Sequence, residues 1–181
     1  MFVRILLFAT LLALAGCPRT EISEEAPAGA HTVVAVLETP PVDPSGDAAD
    51  DAAIWVNPVD PALSVVIGTD KRKGLYVYDL QGRLLQTLAD GHLNNVDLRD
   101  GFPLAGLPVT VVAANNRTDD TLVFYVLDPA TRMLTRSGTP VATGLADPLG
   151  LCMYKSPLTG NYFVFVNNAS DGTVQQWQLR A

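Results

Sequence analysis

Four carboxylates fall within nine residues in the stretch Asp43-Pro44-Ser45-Gly46-Asp47-Ala48-Ala49-Asp50-Asp51. Like charges at this spacing repel one another unless water or a bridging cation separates them. The small neighbours let backbone carbonyls join a coordination shell, which suits Ca2+ with its about six to eight oxygen ligands. The spacing is not that of an EF-hand, because no Asp-x-Asp-x-Asp-Gly run ends in a Glu. A solvated acidic loop has the same composition, and residue chemistry leaves both readings open.

Basic residues stand at two further points. Lys71-Arg72-Lys73 and Asn116-Arg117 each follow one short apolar run and precede another, so both read as hairpin turns. A planar Arg fork and a Lys ammonium are common phosphate ligands. Such residues are also ordinary solvated turn positions. Leu93-Asn94-Asn95-Val96-Asp97 offers two amides and a carboxylate, fit for a metal or for a tight turn. Cys152 lies in the apolar stretch from Leu149 to Tyr154, with no His placed to activate it. It is expected to be a buried core thiol rather than a nucleophile.

These groups need a scaffold, and the sequence predicts an all-β one. Short runs rich in Val, Leu, Tyr, Phe and Thr are broken by Gly, Asn, Asp and Pro. Candidate strands are His31–Leu37, Ala53–Asn57, Ser64–Thr69, Gly74–Leu80, Leu84–Ala89, Val109–Asn115, Thr121–Leu127, Leu149–Tyr154, Tyr162–Asn167 and Thr173–Leu179. A repeat sits among them. Three hairpins share the order apolar strand, polar turn, strand, and the second strands are Leu75–Leu80, Leu122–Leu127 and Val174–Leu179. Each carries an aromatic residue at its fourth position: Tyr78, Tyr125 and Trp177. The second strands recur at spacings of about 47 and 52 residues, near the blade length of propeller arrays. A β-sandwich also supplies hairpins but does not require the same aromatic position in each. In a propeller the equivalent turns of neighbouring blades share one end, so the basic turns would converge on one face. About three blades are present, whereas a ring closes with about 4–8. The chain is therefore expected to be a fragment of a longer protein or an incomplete domain that closes with a partner.

Composition narrows the partners. With 181 residues, 48% hydrophobic and 17% charged, the chain can bury a core and global disorder is excluded. A net charge of −7 disfavours nucleic acid, and no Lys/Arg run reverses it. Arg4 followed by the apolar run Ile5–Ala15 reads as an export signal too short for a comfortable membrane span. It ends Leu14-Ala15-Gly16-Cys17, which resembles the lipobox of bacterial lipoproteins. Plain secretion with cleavage nearby is the other reading. The expected organisation is a lipoprotein signal peptide over 1–17, lipidated at Cys17, a flexible tether over 18–30, and a partial propeller over 31–181. The product would be an exported cell-envelope lipoprotein on the periplasmic or outer-surface side, touching membrane by its lipid anchor only.

Several motifs in register then carry a specific resemblance. Asp47-Ala-Ala-Asp-Asp-Ala-Ala-Ile-Trp-Val-Asn-Pro, Gly68-Thr-Asp-Lys-Arg-Lys-Gly-Leu-Tyr-Val-Tyr, Leu93-Asn-Asn-Val-Asp-Leu-Arg and Asp100-Gly-Phe-Pro-Leu together resemble the β-propeller phytases, from about Glu38 to the C-terminus. The resemblance implies a six-bladed propeller that holds several calcium ions and hydrolyses phosphate monoesters of phytate (inositol hexakisphosphate), water attacking phosphorus in line. It makes Glu38, Asp50 and Asp51 calcium-binding acids, and the Ala52 and Val96 carbonyls calcium ligands. Lys71, Arg72 and Arg117 become phosphate-binding cations, and Asp171 an acid of the substrate face. The family pattern has Pro where Ala52 stands, a substrate-site Tyr where Leu149 stands and a Lys where Ser170 stands. The last two changes remove phosphate contacts. The later-blade acids that complete the family's cleavage site are not among these residues. A non-catalytic module that binds calcium-phytate for a catalytic second propeller domain is the alternative reading, and a lipid-anchored scaffold that merely keeps the fold is a third.

Overall fold

The computed structural model describes residues 33–42 and 46–181. The signal segment, Cys17, the tether, Asp43 and the first residues of the expected His31–Leu37 strand lie outside them. Val33–Leu37 forms no strand, and residues 33–42 carry no regular secondary structure.

Three antiparallel sheets follow one another along the chain. The first contains β1 (Ala49–Trp55), β2 (Val65–Asp70), β3 (Gly74–Asp79) and β4 (Leu84–Leu88), in that order. The second contains β5 (Leu93–Leu104), β6 (Leu107–Asn116), β7 (Thr121–Asp128) and β8 (Met133–Arg136), and the two-residue β9 (Val141–Ala142) also pairs with β7. The third contains β10 (Pro148–Lys155), β11 (Tyr162–Asn168) and β12 (Val174–Leu179). The architecture is all-β, in sequential blades of the kind the repeat predicts. Where the expected strands fall among the described residues, all but the first form, with ends shifted by a few residues.

The long strand β5 is the main element the sequence reading lacked. Its first half is polar, and those polar groups are spent on neighbouring strands rather than on a turn. Its hairpin to β6 closes at Ala105-Gly106, both with positive φ (50 and 81). Gly74 shows why the first hairpin turn needs glycine: its φ is +142, and a Cβ there would stand 1.9 Å from the Leu88 carbonyl oxygen.

Strand alternation sends one set of side chains toward the preceding sheet and the other toward the following one. Ala53, Trp55, Ile67, Leu75 and Val77 from the first sheet meet Val96, Leu98, Val112, Val123 and Tyr125 from the second. Val111, Ala113 and Leu122 from the second meet Leu151, Met153, Val164 and Val166 from the third, with Trp177 against them. Each fully buried large side chain contributes roughly 1.5–3 kcal/mol. The repeated aromatic now has a cause, because Tyr125 and Trp177 both face the preceding sheet and fill the layer between. Tyr78 holds the same position on the first sheet. The outer strands are tied as well: the Gln86 amide donates to the Leu134 carbonyl (2.9 Å) and its oxygen accepts the Leu134 N–H (2.7 Å).

One expectation is corrected here. Cys152 is exposed, not a core thiol. It points to the side of the third sheet turned away from the second, where no further sheet packs among the described residues.

Candidate functional site

The first strand of every sheet is interrupted at the same place. Ala49 pairs with Asp70 and Ala52 with Gly68, so Asp50 and Asp51 together oppose Thr69. Leu93 pairs with Asn116 and Val96 with Ala114, so Asn94 and Asn95 oppose Asn115. Pro148 pairs with Asn168 and Leu151 with Val166, so Leu149 and Gly150 oppose Asn167. Two residues against one is a β-bulge, which re-aims side chains at a strand end. The acidic pair and the double amide singled out in the sequence are therefore the same structural position in successive sheets.

The residue opposite each bulge holds it in place. Thr69 Oγ1 accepts the Asp51 N–H (2.9 Å) and donates to the Asn94 carbonyl of the next sheet (2.7 Å). Asn115 Oδ1 accepts the Asn95 N–H (2.8 Å), and its amide donates to the carbonyls of Pro148 and Leu149 in the next sheet. Asn167 Oδ1 accepts the Gly150 N–H. Thr69 and Asn115 are buried, so these bonds form where an unpaired group would be costly. They also set the sheets at one common level. As a result the β2–β3, β6–β7 and β11–β12 turns stand at one end of the stack.

Asp51 is fixed by its neighbours. Its Oδ1 accepts the Ala52 N–H (2.9 Å), and its Oδ2 accepts the Asn95 Nδ2 and Val96 N–H groups (3.0 and 3.1 Å). Ala52 and Val96, the two residues expected to lend carbonyls, each directly follow a bulge. Asp50 turns the other way: Lys71 Nζ lies 3.1 Å from its Oδ1 and 2.8 Å from Asp47 Oδ1. The hydrogen bond and charge of Lys71 hold the Asp47 carboxyl below the ordinary aspartate range. Asp47 and then Asp50 hold the Lys71 ammonium above the ordinary lysine range. Arg72 donates its backbone N–H to Asp70 (2.9 Å), and its guanidinium comes near Gly46.

Arg117 bridges the second and third sheets. Its Nε and Nη2 both lie 3.0 Å from Asp147 Oδ1, and Nη1 lies 3.5 Å from Asn94 Oδ1. Asp171 sits in the third turn, accepting the Thr173 N–H (2.9 Å), and this bond holds its carboxyl below the ordinary range. Glu38 is not brought to the acidic pair, since its carbonyl lies against Gly82, in the turn at the opposite end of the first sheet. The sequence reading missed Asp147, Thr69 and Asn115. The last could have been found by aligning Thr69-Asp70, Asn115-Asn116 and Asn167-Asn168 across the repeat.

The donors suit a hard cation in type. Asp47 and Asp50 already converge on one positive charge, the Lys71 ammonium. In number they fall short: among the described residues no three His, Cys, Asp or Glu side chains converge. Further oxygens would have to come from backbone carbonyls, water or a ligand.

Comparison with known proteins follows the same direction. A family model described as Phytase matches residues 3–180. The 3-phytase of Bacillus subtilis (strain 168) is 38% identical over 152 residues, which cover 81% of this chain and 40% of that protein. The chain thus spans about two fifths of the length of the curated relative it matches.

Proposed function

Because the chain belongs to the phytase family, we propose that its turn face works on phytate, holding calcium and phosphate for hydrolysis of a phosphate monoester. The observation that carries this reading is the placement of Asp50-Asp51, Lys71 and Arg117 at one end of successive sheets. Asp50, Asp51 and the Ala52 and Val96 carbonyls would hold calcium, with Glu38 a further acid only if its segment rearranges. Calcium, when bound, supplies neutralising charge for the phosphates and acidity for water. Lys71, Arg72 and Arg117 grip and orient ester phosphates, the Arg forks with two-point contacts. Asp171 borders the same end. A chain of net charge −7 gains from such cations when its substrate is itself a polyanion. In this reading Cys17 carries a lipid that anchors the protein at the bacterial cell envelope.

The test is phosphate release from phytate by the full chain, with and without calcium, near neutral pH. Calcium-dependent release is expected, and none at any calcium concentration overturns hydrolysis. A second reading has its own support. The third bulge is Leu149-Gly150, which offers no side-chain donor where the first two offer Asp50-Asp51 and Asn94-Asn95, and among the described residues no three acids converge. On that ground the chain is a calcium-phytate-binding module serving a catalytic propeller. Calorimetry that finds calcium-dependent phytate binding without phosphate release selects this reading.

A further inference from the structure

Arg117 is held at both ends, and the two holds come from different parts of the fold. Its backbone opens the β6–β7 turn, which packs against the connection from β4 to β5. The Arg117 N–H donates to the His92 carbonyl (2.9 Å), and the His92 N–H donates to Thr118 Oγ1 (2.8 Å). The buried Asn116 donates its amide to the Asp90 carbonyl (3.0 Å), and its oxygen accepts the Thr118 N–H (3.0 Å). Asp90 is fixed in turn by the buried Tyr125, whose hydroxyl donates to Asp90 Oδ2 (2.7 Å). Gly91 has φ +109, and a Cβ there would stand 2.7 Å from Thr118 Oγ1, so the two segments lie too close for a side chain between them.

The guanidinium end is set by the third sheet. Asp147 precedes β10, and its backbone is tied to the start of the β11–β12 turn. Its N–H donates to Oδ1 of the buried Asn168 (3.0 Å), and its carbonyl accepts the Ala169 N–H (2.9 Å). One carboxylate oxygen, Oδ1, then lies 3.0 Å from both Nε and Nη2 of Arg117. Asn94 flanks the other side. Its amide donates to Asn95 Oδ1 (2.8 Å) and to the Leu149 carbonyl (3.0 Å), so its oxygen is the atom that faces Arg117 Nη1, 3.5 Å away.

A guanidinium carries five N–H groups in one plane. The Nε N–H and one of Nη2 go to Asp147, and one of Nη1 leans on Asn94. Among the described residues, one N–H on each terminal nitrogen meets no further partner, and such a pair fits two oxygens of a phosphate. The two side chains of the ion pair are 37% and 36% exposed, and at that exposure it adds little to stability. Its larger effect is on direction. We infer that Asp147 is a positioning residue, turning Arg117 so that its terminal N–H pair meets an ester phosphate at the turn face. This rests on the phosphate-binding role proposed for that face. The third sheet, whose own bulge offers no side-chain donor, thus acts on the ligand through an arginine of the second.

A carboxylate beside a phosphate site also repels the ligand, so positioning and plain charge have opposite signs. Asp147→Asn and Asp147→Ala separate them, because both remove the charge and only Asn keeps an oxygen acceptor. With the full chain in calcium, calorimetry should find phytate bound about tenfold more weakly by Asp147→Ala than by Asp147→Asn. Adding Arg117→Ala to each should abolish that difference. Equal affinities for the two single variants overturn the proposal, and so does a difference that survives the loss of Arg117. Nitrogen-15 NMR of the ligand-free chain reads the geometry directly. Rotation of the Arg117 guanidinium about its Nε–Cζ bond should be slow in the parent and in Asp147→Asn but fast in Asp147→Ala, and fast rotation in the parent overturns the proposal. A parent that binds no phytate counts against the function proposed above, and inorganic phosphate then serves as the probe. It should shift the Arg117 Nη signals in the parent more than in Asp147→Ala; equal shifts, or none, overturn the positioning role.

Discussion

Asp51 accepts three hydrogen bonds, from Ala52, Asn95 and Val96, and two of them come from the next sheet. Asp51→Ala strands the part-buried Asn95 and Val96 donors of the next sheet, and an unpaired buried donor costs about 1–3 kcal/mol. The expected outcome is a clear fall in melting temperature even without calcium, together with loss of any calcium-linked stabilisation; a thermal melt in both conditions checks it. Lys71 behaves differently because it is shared by two partly solvated carboxylates. Asp47, held low, contributes stability that is present above the ordinary aspartate pKa and disappears as pH falls through its depressed value. Lys71, held high, contributes stability present below the ordinary lysine pKa, which disappears as pH rises through its raised value. The pair is therefore intact through the neutral range. Carboxyl NMR should place the Asp47 midpoint below that of a free aspartate, and Lys71→Met should return it toward the ordinary value. The same substitution removes the charge that competes with a bound cation. Calcium affinity should rise while affinity for phosphate esters falls, and calorimetry reads both.

At the scale of elements, the bulges and their opposing residues join the sheets. Asn115 is fully buried and serves both its own sheet and the next. Asn115→Ala should destabilise by roughly 2–3 kcal/mol, because it takes the side-chain partner from the part-buried Asn95 N–H and the buried Pro148 carbonyl, while the Leu149 carbonyl keeps the Asn94 amide. Thr69→Val should cost about 1 kcal/mol less, since fewer bonds depend on that hydroxyl; urea unfolding compares them. Strand position predicts a second order. β6 is flanked on both sides and buried over its second half, while β12 pairs with β11 alone and carries the 64%-exposed Val174. Hydrogen exchange should be slowest in β6 and fastest in β12. The sequence showed most of these strands through their alternation. It did not show β5, whose Asn-Asn-Val-Asp start reads locally as a turn. That segment is a strand because Asp51, Thr69 and Asn115 satisfy its polar groups from other strands.

For the whole molecule, the second sheet contributes to both hydrophobic layers, so damage to either should be felt throughout. Trp55→Ala, at 2% exposure in the first layer, should cost about 3–5 kcal/mol and lower the single unfolding transition of all three sheets, followed by tryptophan-independent circular dichroism. By itself the sequence determined the all-β class, the three-fold hairpin repeat with its aromatic position, the acidic and basic turn residues, and the family. Each of these is written in local order, as a period of two within a strand or a motif read along one stretch of chain. Only the tertiary structure decided that Asp50-Asp51 and Asn94-Asn95 are one bulge repeated, that Arg117 is held by Asp147, that Glu38 stands apart, and that Cys152 faces outward. Those outcomes depend on pairing between distant residues, 44 apart for Asp51 and Asn95. They also depend on which sheet faces have a neighbour. Hydrogen bonds and burial belong to the assembled sheets, so no local pattern could carry them.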